Sequence, residues 1–279
     1  LEPYKQLYYN ILIYRTPLLL VDEETSRTLE NGIRKLILNY VSKSVIVDVP
    51  FHYSKQQKSR YIKTSLRSQV IGDFLFIDCD TIINEELKDI DNLSCEIAAV
   101  PDCHLSIKYS WMKTNIKKWS SVLGWKYSEN DFYFNSGVLF VKDTDDTHQF
   151  YEYWHSLWRK NVLKGINYDQ PSLAKANELM GCKICKLDDI WNCQINANGL
   201  PFLSKAKIIH YFASGMGAKS YVPYKFLDKK IFCRIKYEGF LSDEIKLMIR
   251  NSKSAFNPFC TVIGYDDARF LCSSTYGLY

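Results

Sequence analysis

The run Phe74-Leu75-Phe76-Ile77 contains no polar residue and ends directly on Asp78-Cys79-Asp80. Gly72 stands just before it, so the run is too short for a helix and reads as a strand. A strand without polar alternation is covered on both faces, as in the centre of a parallel sheet. Further short apolar runs follow the same reading: Leu18 to Val21, Val45 to Val49, Ile97 to Val100, Gly137 to Val141 and Lys207 to Ile209. Between them, apolar residues at helical spacing predict helices over Leu1 to Arg15, Glu23 to Tyr40, Ser59 to Val70, Ser106 to Leu123, Tyr151 to Val162 and Pro171 to Met180. Alternating strands and helices place the chain in the α/β class, with a mostly parallel central sheet flanked by helices. Sheets of that kind bind ligands beyond the carboxyl ends of their strands, where Asp78 and Asp80 lie.

The 279 residues suffice for one large domain or two small ones. No repeat, low-complexity tract or proline-rich linker divides them, so the reading is one continuous domain over residues 1–218 with a C-terminal extension over 219–279. A formal charge of +5 is too small to imply nucleic acid. No apolar run reaches the ~18 residues of a membrane-spanning helix; the most apolar stretch, Ile11 to Val21, is broken by Arg15 and Pro17. The start has no signal-peptide pattern. Nine scattered cysteines, an odd number, suit reduced thiols in a cytosolic chain better than a disulfide framework. Cys182 and Cys185 form a lone C-x-x-C with no second pair at zinc spacing.

Asp78 and Asp80 stand at i and i+2, which in an extended chain point the same way. Two carboxylates that close repel, and a divalent cation relieves the repulsion. Carboxylates with phosphate oxygens are the usual ligands of Mg²⁺ or Mn²⁺. The pair equally suits a cap on the following turn, with Thr81 helping. The pattern also opens phosphatases of the haloacid dehalogenase type, where Asp78 would be the nucleophile. Those enzymes place Thr or Val where this chain has Ile82, and the later pair Asp188-Asp189 runs straight into Ile190-Trp191-Asn192.

After the two acids come Phe134-Asn135-Ser136-Gly137, then Asp169-Gln170-Pro171 at a helix start, then Trp191-Asn192, then Ile208-Ile209-His210. In this order the sequence resembles the retaining GT-A glycosyltransferases of family 8, the glycogenin and lipopolysaccharide galactosyltransferase group, over roughly Leu18 to Gly217. The resemblance implies a transferase that moves a hexose from a nucleoside diphosphate-sugar to a glycan or lipid-linked acceptor. It implies that Asp78, Asp80 and His210 hold Mn²⁺ or Mg²⁺, and that Asp78 also meets the donor. Asn135 and Ser136 would lie at the donor, with Asn135 and Asp169 holding sugar hydroxyls. Gln170 would face the anomeric carbon opposite the leaving phosphate. Arg60 and Lys63, on the helix before the acidic strand, would reach the donor or simply form a solvated charged face. No Asp or Glu stands out as a covalent nucleophile, which implies front-side displacement. A catalytically silent binder of nucleotide-sugar or glycan is the reading from another class.

Two departures stand out. The family carries Gly three and Lys six places after the late histidine; here those places hold Ala213 and Met216, with Gly215, Gly217 and Lys219 slightly late, so Lys219 becomes the candidate phosphate-binding lysine. The chain also opens on what reads as the helix after the family's first strand, so the nucleotide-base pocket is expected to be incomplete. The stretch Lys219 to Tyr279 carries ten basic and six acidic residues, interleaved with aromatics. It reads either as packing on the catalytic domain with its lysines in water, or as a weak peripheral contact at the inner face of an anionic membrane.

Overall fold

The computed structural model describes residues 17–211, 225–227, 230, 231, 234 and 242–255. The helix expected over Leu1 to Arg15, Lys219 and most of the C-terminal stretch lie outside the described residues.

Strand β1 (Leu18–Val21) pairs in parallel with β2 (Lys43–Ile46). Between them α1 (Glu23–Leu29) starts on Asp22, whose carboxylate accepts the Thr25 N–H at 2.8 Å. The helix expected to reach Tyr40 stops at Glu30, and residues Gly32–Asn39 continue as a 3-10 helix. Asn31 and Gly32 are poor helix formers and make the break. Helix α2 (Lys55–Thr64) begins earlier than expected because Ser54 and Gln57 close a reciprocal capping box. Arg60 and Lys63 thereby share one face of it.

Then follow β3 (Phe74–Ile77), β4 (Thr81–Ile83), β5 (Ile97–Ser106), α3 (Lys113–Leu123), β6 (Phe132–Val141), α4 (Asp145–Val162), α5 (Gln170–Leu179), β7 (Ile184–Lys186), β8 (Cys193–Gln194), β9 (Ile208–His210) and α6 (Asp243–Arg250). Four strands pair in the order β3-β6-β5-β7 and three in the order β4-β9-β8. Pairing is parallel in β1–β2, β5–β7 and β8–β9, and antiparallel in β3–β6, β5–β6 and β4–β9. Strand β3 therefore stands at one end of its sheet's order, not at its centre. Its apolar composition has another cause. Phe74 and Phe76 pack on the cluster around Leu139, Phe150 and Trp154, while Leu75 and Ile77 pack on the opposite cluster around Val138, Leu187 and Trp191. Both faces are covered by apolar clusters, as the sequence implied, although the four side chains are only partly buried and one edge is not paired within this sheet.

The three-stranded sheet lies under the second of those clusters. Ile208 belongs to it, and the next residue, Ile209, turns to a further cluster with Cys193 and Tyr211. Phe226 and the α6 residues Ile245 and Met248 complete that cluster, so these late residues pack on the sheet. Arg234, Lys246 and Lys253 pair with Glu244, Asp243 and Glu85. No helix among the described residues is long and apolar enough to cross a membrane.

Candidate active site

Asp78 and Asp80 bridge the two sheets. The Asp78 N–H donates to Gly137 O at 2.8 Å, extending the β3–β6 ladder by one rung, and the Tyr211 N–H, just past β9, donates to Asp80 O at 2.8 Å. The Thr81 hydroxyl closes the turn onto Asp78 O at 2.8 Å. The two acids thus converge through a turn rather than along an extended strand. Thr81 pairs with His210, which brings the imidazole to the same place. Asp78, Asp80 and His210 each offer one ligand atom, all within 4.8 Å of one another, and they form the only such group among the described residues. Two carboxylates and an imidazole fit Mn²⁺ or Mg²⁺, with remaining positions open to phosphate oxygens. Burial pushes the Asp80 carboxyl up, but the hydrogen bond and charge of His210, with Lys63 behind, bring it below its usual value. His210 Nε2 lies 3.1 Å from Asp80 Oδ1.

Lys63 is buried, and its ammonium lies 2.8 Å from Asp78 Oδ2 and 3.6 Å from Asp169 Oδ2. Burial alone would lower its pKa; the two carboxylates outweigh burial and raise it. Arg60 Nε lies 3.0 Å from Asp169 Oδ1, and the Ser136 hydroxyl donates to Asp169 Oδ2 at 2.6 Å. Burial raises the Asp169 carboxyl, and Lys63, Arg60 and Ser136 together bring it below the usual range. The face of α2 that carries Arg60 and Lys63 therefore lies against Asp78 and Asp169 and does not form a solvated charged face.

Asn135 and Gly137 have separate reasons to be here. Asn135 Oδ1 accepts the Gly137 N–H at 2.9 Å and the Asn192 amide at 3.0 Å, while its own amide donates to Asp102 Oδ1 at 2.9 Å. A Cβ on Gly137 would meet His210 Cε1 at 2.2 Å, so only glycine leaves room for the ring. Gln170 donates from Nε2 to Asp102 Oδ1 at 3.2 Å and to Phe134 O at 3.1 Å, which turns its carbonyl oxygen away from both.

The family 8 glycosyl transferase profile matches residues 49–219, more than half of the chain. The chain belongs to glycosyl transferase family 8. Galactosyltransferase LgtC, solved with donor and acceptor sugar analogs, superposes with a TM-score of 0.51 at 14% identity, covering 92% of each chain. The apo structure of WbbM, a bifunctional glycosyltransferase, gives 0.48 at 16% identity over 71% of this chain and 45% of that one, so this chain spans less than half of WbbM. Mouse xyloside xylosyltransferase 1, also apo, gives 0.45 at 14% identity over 69% and 82%. No curated protein sequence matches significantly. At 14% identity the LgtC superposition speaks for the fold alone, and that fold is the GT-A type expected from the sequence. This family 8 member is a glycosyltransferase, and the phosphatase alternative is not favoured.

In this family 8 chain the structure gathers Arg60, Lys63, Asp78, Asp80, Asn135, Ser136, Asp169, Gln170 and His210 around one junction; Lys219 is outside the described residues. Sequence reading missed Asp102. Its carboxylate accepts from Asn135 and Gln170, and the Cys103 thiol lies 3.4 Å from Oδ2. Burial first, and the Asp102 charge second, push that thiol up to about 12, so it stays a donor. Asp102 sits at a bulge where Cys103 and His104 adopt left-handed φ of 58° and 61°. Such residues cost on the order of 1–2 kcal/mol each and persist only when held. Here the Gln194 side chain binds Cys103 N and Pro101 O, and His104 is fixed between Asp189 and Gln194 N. The available signal was Pro101-Asp102-Cys103-His104, a polar interruption inside a run that is otherwise strand.

Proposed function

We propose that this chain moves a hexose from a nucleoside diphosphate-sugar to a hydroxyl of a glycan or lipid-linked acceptor, with a divalent metal and retention at the anomeric carbon. The observation that carries the reading is the convergence of Asp78, Asp80 and His210 within 4.8 Å, in a chain of family 8. A bound Mn²⁺ or Mg²⁺ there supplies positive charge to the diphosphate leaving group. The chain's own residues do the rest. Lys63 balances Asp78 and Asp169, so the acidic junction accepts a phosphate-bearing donor without a large repulsive field. Asp169, held ionised by Arg60, Lys63 and Ser136, offers a fixed negative charge beside the sugar as positive charge develops at its anomeric carbon. The Gln170 carbonyl, oriented by its amide bonds to Asp102 and Phe134, is an acceptor-only group suited to the same charge. The second Asn135 amide hydrogen is left for a sugar hydroxyl, and Lys219, where the family match ends, is the cation we assign to the diphosphate.

Neither buried carboxylate is set up as a covalent nucleophile. Asp169 is enclosed by its cations, and Asp102 Oδ1 accepts two amides. Attack by the acceptor on the face the nucleotide leaves is the route consistent with both. The test is a panel of UDP- and GDP-sugars with and without Mn²⁺, read by nucleotide release and by the anomeric configuration of the product. Gln170→Ala should lower kcat far more than it weakens the donor. Nucleotide binding that is indifferent to divalent metal, or an inverted product, would refute the reading.

A further inference from the structure

The structure gives Trp191-Asn192 a place but the reaction as drawn gives Asn192 no task. Asn192 is fully buried beneath His210, and its Oδ1 lies 2.9 Å from His210 Nδ1. We infer that Asn192 is a positioning residue that fixes His210 in its Nδ1–H tautomer and so keeps the Nε2 lone pair for the metal.

One chain of hydrogen bonds runs from Asp102 through Asn135 and Asn192 to His210, and its direction is forced at the far end. Asn135 cannot reverse its amide. Its oxygen faces the Gly137 backbone N–H, which can only donate, and its nitrogen faces the Asp102 carboxylate, which can only accept. With Asn135 Oδ1 pointing at Asn192, the atom of Asn192 that faces it must be the donor, Nδ2, at 3.0 Å. The other end of the same planar amide, Oδ1, then faces His210, and it can only accept. The imidazole must therefore carry a proton on Nδ1, so the neutral ring, the form that can bind a metal, has its lone pair on Nε2, facing Asp80 and Asp78. A buried backbone donor and an acidic side chain on β5 thus decide the protonation pattern of a ring on β9.

Without Asn192 the alternative tautomer becomes favourable, because Asp80 Oδ1, 3.1 Å from Nε2, is an acceptor waiting for that proton. A ring that donates to Asp80 has no lone pair for an ion and ties up a second ligand as well. Groups that orient a metal-binding imidazole typically change metal affinity about 10–100-fold when removed.

The role toward the metal rests on the function proposed above; the tautomer itself does not. The experiment labels the chain with ¹⁵N-histidine and records two-bond ¹H–¹⁵N spectra of the metal-free protein at mildly alkaline pH. His210 is identified among the five histidines by the signal lost in His210→Gln. Wild type should show Nδ1–H, and so should Asn192→Asp, whose carboxyl must hold its own proton toward Asn135 Oδ1 and so still presents an acceptor to Nδ1. Asn192→Leu should show Nε2–H and bind Mn²⁺ about 10–100-fold more weakly by electron paramagnetic resonance, with Asn192→Asp near wild type. Nε2–H in the wild type overturns the inference, as does Asn192→Leu with Nδ1–H and undiminished Mn²⁺ affinity. If Asn192→Leu does not fold, Asn192→Asp and the wild-type spectrum decide. A wild type that binds no Mn²⁺ refutes the metal reading alone, and the nitrogen spectra still judge the tautomer.

Discussion

Replacing Gly137 with Ala adds one carbon at the point where β6 passes under His210. That carbon would lie 2.2 Å from His210 Cε1, 2.8 Å from Nδ1 and 2.9 Å from Asn135 Oδ1. To approach the ~3.5 Å at which carbon atoms stop repelling, the ring must retreat by about 1 Å. It has little freedom to do so, since His210 is 2% exposed and its backbone is paired with Thr81. Gly137 carries no left-handed φ, so the conflict is steric and not conformational. Overpacking of this kind costs about 1–3 kcal/mol, which for a domain of this size is a fall in Tm of roughly 2–12 °C. Metal ligands tolerate displacement of only about 0.2 Å, so Mn²⁺ affinity should fall at least ~100-fold, the upper end for losing a mere orienting partner. Differential scanning fluorimetry and Mn²⁺ titration measure the two effects. The double variant Gly137→Ala/His210→Ala isolates the cause. With the ring gone only the contact with Asn135 Oδ1 remains, and the double variant should recover most of the loss when compared with His210→Ala alone. Additive losses, or wild-type Mn²⁺ affinity in Gly137→Ala, would refute the steric argument.

Asp80→Asn should leave the melting temperature almost unchanged, because the side chain is about half exposed, while Mn²⁺-dependent nucleotide binding disappears; undiminished binding in a calorimetric titration would remove Asp80 from the ligand set. Lys63→Met should cost about 3–5 kcal/mol in urea unfolding, since it strands Asp78 and Asp169 together, and adding Asp169→Asn should recover part of the loss. A loss under ~1 kcal/mol would mean that water already screens the pair. His155 is lowered from 6.5 to about 4 by burial, with the Arg159 charge adding to it. The unfolded chain therefore binds the proton first, and stability falls as pH drops from 6.5 toward 4, at no more than ~1.4 kcal/mol per pH unit and by less than that for a partly solvated ring. Above pH 6.5 the residue contributes nothing to the slope. His155→Phe should flatten that part of a pH-dependent melt, and an unchanged slope would point to another group.

The acidic turn and its late histidine were legible because their order along the chain survives folding, and the apolar run before them told correctly that β3 packs on both faces. The same run could not tell which strands lie beside it. Pairing with β6 in antiparallel sense is decided by residues far away in sequence, and an unbroken apolar strand looks the same in either orientation. Helix ends went wrong where capping chemistry overrides periodicity, at Ser54 and at Asn31-Gly32. Lys63 read equally as a solvated charge, because nothing local announces that its helix face will meet Asp78 and Asp169. Asp102 was hidden by lying inside a strand. Gly137 was visible only as a motif letter, since the ring that requires it arrives on β9.

Asp78 is the last residue tied to one sheet, Asp80 the first tied to the other, and His210 follows Asp80 by 130 positions. An ion shared among them would act as a reversible cross-link. Closing a loop of that length in a loose chain costs on the order of 4 kcal/mol, and a clip placed there removes much of that freedom from the unfolded ensemble. Ion uptake would then add to the contacts that already seat the second sheet upon the first, and the two would be coupled. Chelation should first loosen β4, β8, β9 and the α6 residues packed behind them, leaving the four-stranded sheet intact. A donor whose diphosphate completes the ion's coordination would tighten the same clip, so the substrate itself would fasten the protein's two layers for the duration of the transfer.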